Sequence, residues 1–290
     1  MGGESFFTGY YENEVDFYMY KLIALDLDGT LNNDQREITP KTRTALLAAQ
    51  QQGARVVLAS GRQPTGMVRE IAALELERYQ GMLCAYNGGY ILDAQTRQPL
   101  YEQAMPSRLV TPLLEHLAQF PIMTMVDDGI HLYTTDADGF QVQDESCKNH
   151  LQLQIVENLA DAVDFAPRKM LMAAPEVVLV PLLAEISGPF SEQLAFAQTA
   201  PFYYEVMEKN VSKANGLAHL CQRLGIAADE VMAFGDAQND LSMLRFAGLG
   251  VAMGNACEEL KMAADEVTLS NNEDGIAYTL ARYFDVPLEP

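Results

Sequence analysis

Four apolar residues, Leu22 to Leu25, run without a polar interruption into Asp26-Leu27-Asp28-Gly29-Thr30. An extended segment with no polar position has no face to offer to water. It belongs inside a parallel sheet that is covered by helices on both sides. In open α/β sheets the carboxyl ends of such strands are where ligands bind. Two carboxylates delivered there are costly to hold together unless a cation sits between them. The segment therefore points to a hard metal ion and to chemistry on a carboxylate.

The same style continues along the chain. Residues 39–52 read as a helix, with Thr39 as N-cap, Pro40 at the first helical position and Gly53 past the end. Arg55 to Ala59 is a second buried strand, closed by Ser60-Gly61-Arg62. Residues 65–76 are helical again, and Gly81 to Tyr86 forms a third strand ending at Asn87-Gly88-Gly89. Then the rhythm changes. Segments 90–92 and 99–103 flank a polar turn, residues 106–120 are helical, and 123–126 and 130–133 bracket Asp127-Asp128-Gly129 as a hairpin. A strand at 169–173, a helix at 175–186 and an extended stretch at 195–206 complete an antiparallel α+β insert. The first style returns with a helix from Lys213 to Leu224 and a strand from Val231 to Phe234 that ends in Gly235-Asp236. Short strands at 249–252 and 266–269, and helices at 241–247 and 274–284, follow. The expected fold class is α/β: a Rossmann-like parallel sheet with helices on both faces, built from residues 19–88 and 207–290. Residues 89–206 form the inserted α+β unit, with hinges expected near Gly88–Gly89 and Glu205–Met207.

A chain of 290 residues suits two such units, and 49% hydrophobic content is ample for their cores. The formal net charge of -21 argues against a nucleic-acid or anionic-membrane partner. If the substrate is itself an anion, a bound divalent cation and local Lys or Arg residues must reverse the field at the site. The four cysteines, 84, 147, 221 and 257, show no paired spacing, so neither a zinc site nor a disulfide framework is expected. Histidines 116, 131, 150 and 219 form no helical ligand pair, which leaves oxygen donors and favours magnesium. No apolar stretch is long enough to span a membrane. Residues 1–18 contain no Lys or Arg and no apolar centre, which excludes a signal peptide. They read as a leader or tag, and the chain is expected to be cytoplasmic, as a monomer or small homo-oligomer.

Several strands thus end in polar groups of one chemical kind. Asp26 and Asp28 close the first, Ser60 the second, and Asp236 the late one, with Asn239 and Asp240 just beyond and Lys213 opening the helix before it. With these motifs in this order, the chain resembles the haloacid dehalogenase superfamily of phosphatases. The likeness is to its Cof-type branch with a C2B cap, and it runs over about residues 19–285. Asp26-Leu-Asp-Gly-Thr30 and Gly235-Asp-Ala-Gln-Asn-Asp240 carry the specificity. Ser60-Gly-Arg62 and Ser212-Lys213 gain meaning only beside them.

The resemblance implies a magnesium-dependent phosphatase that acts on small phosphorylated metabolites, most readily sugar phosphates. Asp26 is the implied nucleophile and Asp28 the acid that protonates the leaving group and later activates water. Asp26, the Asp28 backbone carbonyl and Asp236 are the implied metal ligands. Ser60 and the amides of Leu27 and Gly61 are implied to bind phosphoryl oxygens, Asn239 to contact phosphate, and Lys213 to neutralise the transferring group. Asp240 is expected to orient Lys213 or the metal's waters from behind. The chain departs from the family where Ala214 follows Lys213, since relatives more often have Gly there.

Bland readings stand beside these. Ser60 alone is a turn cap and Lys213 alone a surface charge. Arg62 either grips substrate or pairs with a carboxylate. Asp127, Asp128, Asp136 and Asp138 read as turn residues, and Met170, Met172 and Met232 as core filling. Two rival functions share the motifs: a phosphomutase, and a phosphate-responsive binding or signalling module that keeps its aspartyl-phosphate.

Overall fold

Leu22, Ile23, Ala24 and Leu25 are all fully buried, as a strand with no polar face must be. This strand sits in the middle of the larger of two sheets in the computed structural model, which describes residues 20–286. The expected leader at 1–18 lies outside the described residues. In chain order the strands are β1 Leu22–Leu25, β2 Arg55–Ala59, β3 Met82–Ala85, β4 Tyr90–Asp93, β5 Pro99–Glu102, β6 Met123–Asp127, β7 His131–Thr134, β8 Gln152–Ile155, β9 Lys169–Ala173, β10 Leu194–Ala200, β11 Tyr203–Glu208, β12 Val231–Gly235, β13 Leu249–Ala252 and β14 Glu266–Val267. The helices are α1 Pro40–Gln51, α2 Val68–Ala73, α3 Ser107–Leu117, α4 Val142–Asn149, α5 Leu159–Ala162, α6 Glu176–Ser187, α7 Lys213–Leu224, α8 Leu241–Phe246, α9 Glu258–Ala263 and α10 Gly275–Leu280.

The first sheet has the order β14-β13-β12-β1-β2-β3-β4-β5. From β14 to β3 every pairing is parallel, and β4 and β5 add an antiparallel edge. Alternate residues of β1 go to opposite faces. Ile23 and Leu25 pack with Leu46 of α1 and Leu280 of α10, whereas Leu22 and Ala24 pack with Leu217 of α7 and Leu244 of α8. The helix signals at α1 act as expected, since Thr39 accepts from the Thr42 amide.

The second sheet, β10-β11-β9-β6-β7-β8, lies in the insert. Met170 and Met172 of β9 face Leu113 of α3 and Leu179 of α6, while Leu171 and Ala173 face the other way, beside Leu132 and Val142. Period-two alternation therefore makes one covered face and one that looks back at the first sheet.

Several boundaries differ from those read in the sequence. The hairpin β4–β5 pairs with β3, so it extends the first sheet and does not open the insert at residue 89. Both of its strands are apolar enough to continue a sheet, and the turn chemistry alone could not say which one. The crossings fall instead near Ala104, between Gln103 bonded to Gly89 and Met105 bonded to Pro167, and at residues 209–212. Gly88–Gly89, one expected hinge, lies in the loop between β3 and β4, and Glu205–Met207, the other, lies within β11. The stretch 195–206 is a hairpin turned at Pro201-Phe202, not one extended segment. The insert's sheet is mixed, because β8 pairs with β7 in parallel. β8, α4 and α9 carry too few apolar positions to be legible. The helix expected over 274–284 is shortened to α10, and that over 65–76 divides into a 3-10 turn at Pro64–Met67 and α2.

Candidate active site

Parallel pairing of β1 with both β12 and β2 brings three strand ends to one edge. Leu25 is level with Phe234 and with Leu58, so Asp26, Asp236 and Ser60 leave the sheet side by side. The Asp26 amide donates to the Phe234 carbonyl at 3.1 Å. Carboxylate oxygens of Asp26, Asp236 and Asp240 lie within 4.8 Å of one another.

Lys213 enters from α7, whose first turn is capped by the Ser212 hydroxyl accepting from the Asn215 amide. Leu217 and Leu220 fix the helix to the sheet, each contributing on the order of 1.5–3 kcal/mol by burial. The ammonium is fully buried, 2.5 Å from Asp26 Oδ1 and 2.6 Å from Asp240 Oδ1. Burial opposes its charge, but Asp240 and Asp26 outweigh that and raise its pKa. The other oxygen of Asp240 accepts the amides of Asp236 and Ala237, both at 3.0 Å. Asp240 thus has both oxygens engaged inside the protein and acts as a support for Lys213 and for the turn after β12.

Three carboxylates and one ammonium leave the site short of positive charge. The shortage shows in the acids. Burial, reinforced by the charge of Asp240, raises the Asp26 pKa against the pull of Lys213. Asp236 is pushed up to about 6, again mainly by burial, although the Thr30 hydroxyl donates to it at 2.8 Å. Asp26 and Asp236 are the two acids with capacity for a further cation. The group is made of carboxylates alone, which fits a hard ion such as magnesium.

Gly29, at φ 84, lies where a Cβ would strike the Asp236 carboxylate, so the turn after Asp28 can pass close to the late strand only as glycine. Asp28 is exposed on the cleft side, and Arg62 grips it through Nε at 2.9 Å and through Nη2. Of the two readings for Arg62, the carboxylate pair is the one formed. Ser60 is buried, with its hydroxyl accepting from the Arg62 amide at 3.1 Å. Leu27 is buried behind the edge and Gly61 lies against Asn87. Asn239 donates to Asn87 Oδ1 at 3.2 Å. Asp26, Leu27, Asp28, Ser60, Gly61, Arg62, Lys213, Asp236, Asn239 and Asp240 therefore meet at one edge.

The insert supplies the expected roof, through residues that the sequence reading did not assign to it. Lys169 of β9 donates to the Gly61 carbonyl at 3.2 Å and to Glu205 Oε1 at 2.8 Å. Tyr86 donates to Asp127, whose carboxylate also takes the Gly129 amide at 3.1 Å. Asp127 is thus a turn residue, as read, and a link between the two sheets as well. The signal for Lys169 was present in its alternation with Met170 and Met172, but nothing said which face looked toward the acids. Roof and edge enclose a cleft of about 570 Å³.

The profile of the haloacid dehalogenase-like hydrolase family matches residues 23–280. The chain belongs to that family. A relative named "Putative phosphatase YxeH", from Bacillus subtilis (strain 168), is 35% identical over 265 residues, which cover 90% of this chain and 97% of the relative. The crystal structure of a haloacid dehalogenase-like hydrolase from Bacteroides thetaiotaomicron is 35% identical, with a TM-score of 0.85, covering 91% of this chain and 100% of that one. The HAD subclass IIB sugar phosphatase BT4131 is 26% identical, with a TM-score of 0.76, covering 91% and 98%. The resemblance read from the motifs holds, and the hydrolase is a phosphatase with the insert as its cap. Among the described residues no helix is long and apolar enough to cross a membrane.

Proposed function

We propose that this phosphatase is magnesium-dependent and hydrolyses small phosphomonoesters, sugar phosphates among them, through an aspartyl-phosphate on Asp26. The observation that carries the reading is the trio Asp26, Asp236 and Asp240, the first and last paired with one buried ammonium, at the carboxyl edge of the sheet and beneath a cap. Asp26, Asp236 and the Asp28 carbonyl would hold the cation, which when bound neutralises charge on the phosphoryl oxygens and on the acids.

The chain's own groups do the rest. Asp26 attacks phosphorus and the ester oxygen departs. Asp28 lies on the open side of the cleft, where it can give that oxygen a proton and afterwards take one from the incoming water. Lys213, already in contact with Asp26, is placed to neutralise the transferring group, with Asp240 holding it there. Ser60, the amides of Leu27 and Gly61, and Asn239 bind phosphoryl oxygens. Arg62 must release or reorient Asp28 during the cycle, since the two are paired here. The cap excludes bulk water while the ester is attacked. Likeness to the sugar phosphatase BT4131 supports sugar phosphates as the class to try first.

Phosphate release from a panel of phosphorylated metabolites, with magnesium and then with EDTA, tests this. Turnover that stops in EDTA and returns with magnesium is expected. Full activity in EDTA would remove the metal from the reading. Transfer to a second hydroxyl without release of phosphate would favour a mutase.

A further inference from the structure

The main cleft has a side arm. A second hollow of about 340 Å³ opens next to it, and Arg36, Arg62 and Lys148 line both. Its walls also carry Arg69 of α2 and His150 just after α4. Core and cap both contribute cations to its lining. Arg62 is committed to Asp28. Arg36, Arg69 and Lys148 form no salt bridge among the described residues. Of the two acids in the wall, Glu70 is buried and accepts from Asn32 at 2.9 Å, and Asp144 is exposed. Acidic residues outnumber basic ones 40 to 19 in this chain, so a wall in which unpaired bases outnumber acids runs against its composition. Unpaired cations facing one hollow repel each other, and an anion between them relieves that repulsion.

We propose that the side arm is a second anion subsite: the phosphoester hydrolysed in the main cleft has a leaving group that bears another phosphate or a carboxylate, and this group docks between Arg69 and Lys148. The inference rests on the phosphatase reading and narrows its substrate class. Because Arg69 belongs to the core and Lys148 to the cap, the second anion also ties the two together over the reacting ester. It answers the electrostatic difficulty of a strongly acidic protein that takes an acidic substrate, since unpaired bases line the hollow beside the cleft.

Competition against p-nitrophenyl phosphate tests this with three compounds of one carbon skeleton: glycerol 3-phosphate, 3-phosphoglycerate and 2,3-bisphosphoglycerate. Inhibition constants are read whether or not the competitors are turned over. The two with a second anionic group are expected to compete roughly tenfold more tightly than glycerol 3-phosphate, the size of one charge-assisted contact. In the double variant Arg69→Gln, Lys148→Gln that ratio is expected to fall to about one. A ratio near one in the wild type, or a preference that survives in the double variant, overturns the subsite. Equal weakening of all three competitors also overturns it and leaves only general steering. Failure to turn over p-nitrophenyl phosphate at all strikes the phosphatase reading instead.

Discussion

Lys213 is one of the largest fully buried side chains. It is fully buried between two carboxylates, and each needs it. Lys213→Met is expected to destabilise the protein by about 3–5 kcal/mol, because Asp240 is left buried and unpaired. Urea denaturation measures it. Asp26→Asn is expected to behave oppositely. It removes an acid whose charge burial, Asp240 and Asp236 together disfavour more than Lys213 favours it, so the metal-free fold is retained or strengthened, while phosphate release falls by at least about 10³-fold. Wild-type turnover in that variant defeats the nucleophile assignment. The acids also set a pH dependence. Asp236 is raised from 3.8 to about 6 in the fold, and Asp26 is raised too. A raised acid binds its proton in the folded state over a range where the unfolded chain has lost it. Stability from this source is complete below about pH 4; the Asp236 share is lost as pH rises through about 6, and the Asp26 share as it rises on through about 8. In EDTA the melting temperature is therefore expected to carry a falling contribution from about pH 4 to 8, and magnesium is expected to stabilise more at pH 7 than at pH 5. Paired melting curves with and without magnesium isolate that difference.

At the scale of elements, the site depends on how closely α7 approaches the loop after β3. Gly88 has φ 99, and a Cβ there would strike the Ser212 carbonyl. Gly216, one turn into α7, would meet the Gly88 backbone at 2.8 Å if it had a side chain. The departure from the family at Ala214 leaves this contact intact, because the glycine that matters is at 216. Gly88→Ala is expected to cost about 1–3 kcal/mol in left-handed strain and contact. It is also expected to lower kcat by moving the helix start that carries Lys213. Steady-state kinetics beside chemical denaturation separate the two effects. A variant with unchanged kcat would show that α7 is placed by its buried leucines alone.

At the scale of the molecule, cap and core are joined by two adjacent connectors, and Gln103 at the start of one donates to Glu208, the last residue of β11 before the other. Above them the cap reaches the core through Lys169 on Gly61 and Asp127 on Tyr86. Burial disfavours charge on Lys169, but Glu205 and Glu145 outweigh it and keep the ammonium strongly basic. Lys169→Met is expected to loosen the roof, seen as faster proteolysis at residues 103–106 and 209–212 and a KM raised several-fold with melting of the core unchanged. No change in cleavage would leave the Tyr86–Asp127 link and the Arg168–Glu102 pair as the sufficient hold.

The chain order of apolar runs and acids determined the core sheet and the convergence at its edge, because a strand without a polar face has one environment open to it and its end has one destination. Asp26, Asp236 and Lys213 were legible for that reason, although 187 residues separate Lys213 from Asp26. The tertiary structure alone decided where the cap begins, since a hairpin at 90–102 reads the same whether it joins one sheet or the other. It also decided that Arg62 pairs with Asp28 and that Lys169, Asp127 and the cations of the side arm look onto the cleft. These are single polar residues on surfaces that meet only once two sheets have docked, and no periodicity along one strand records which surface its neighbour will cover.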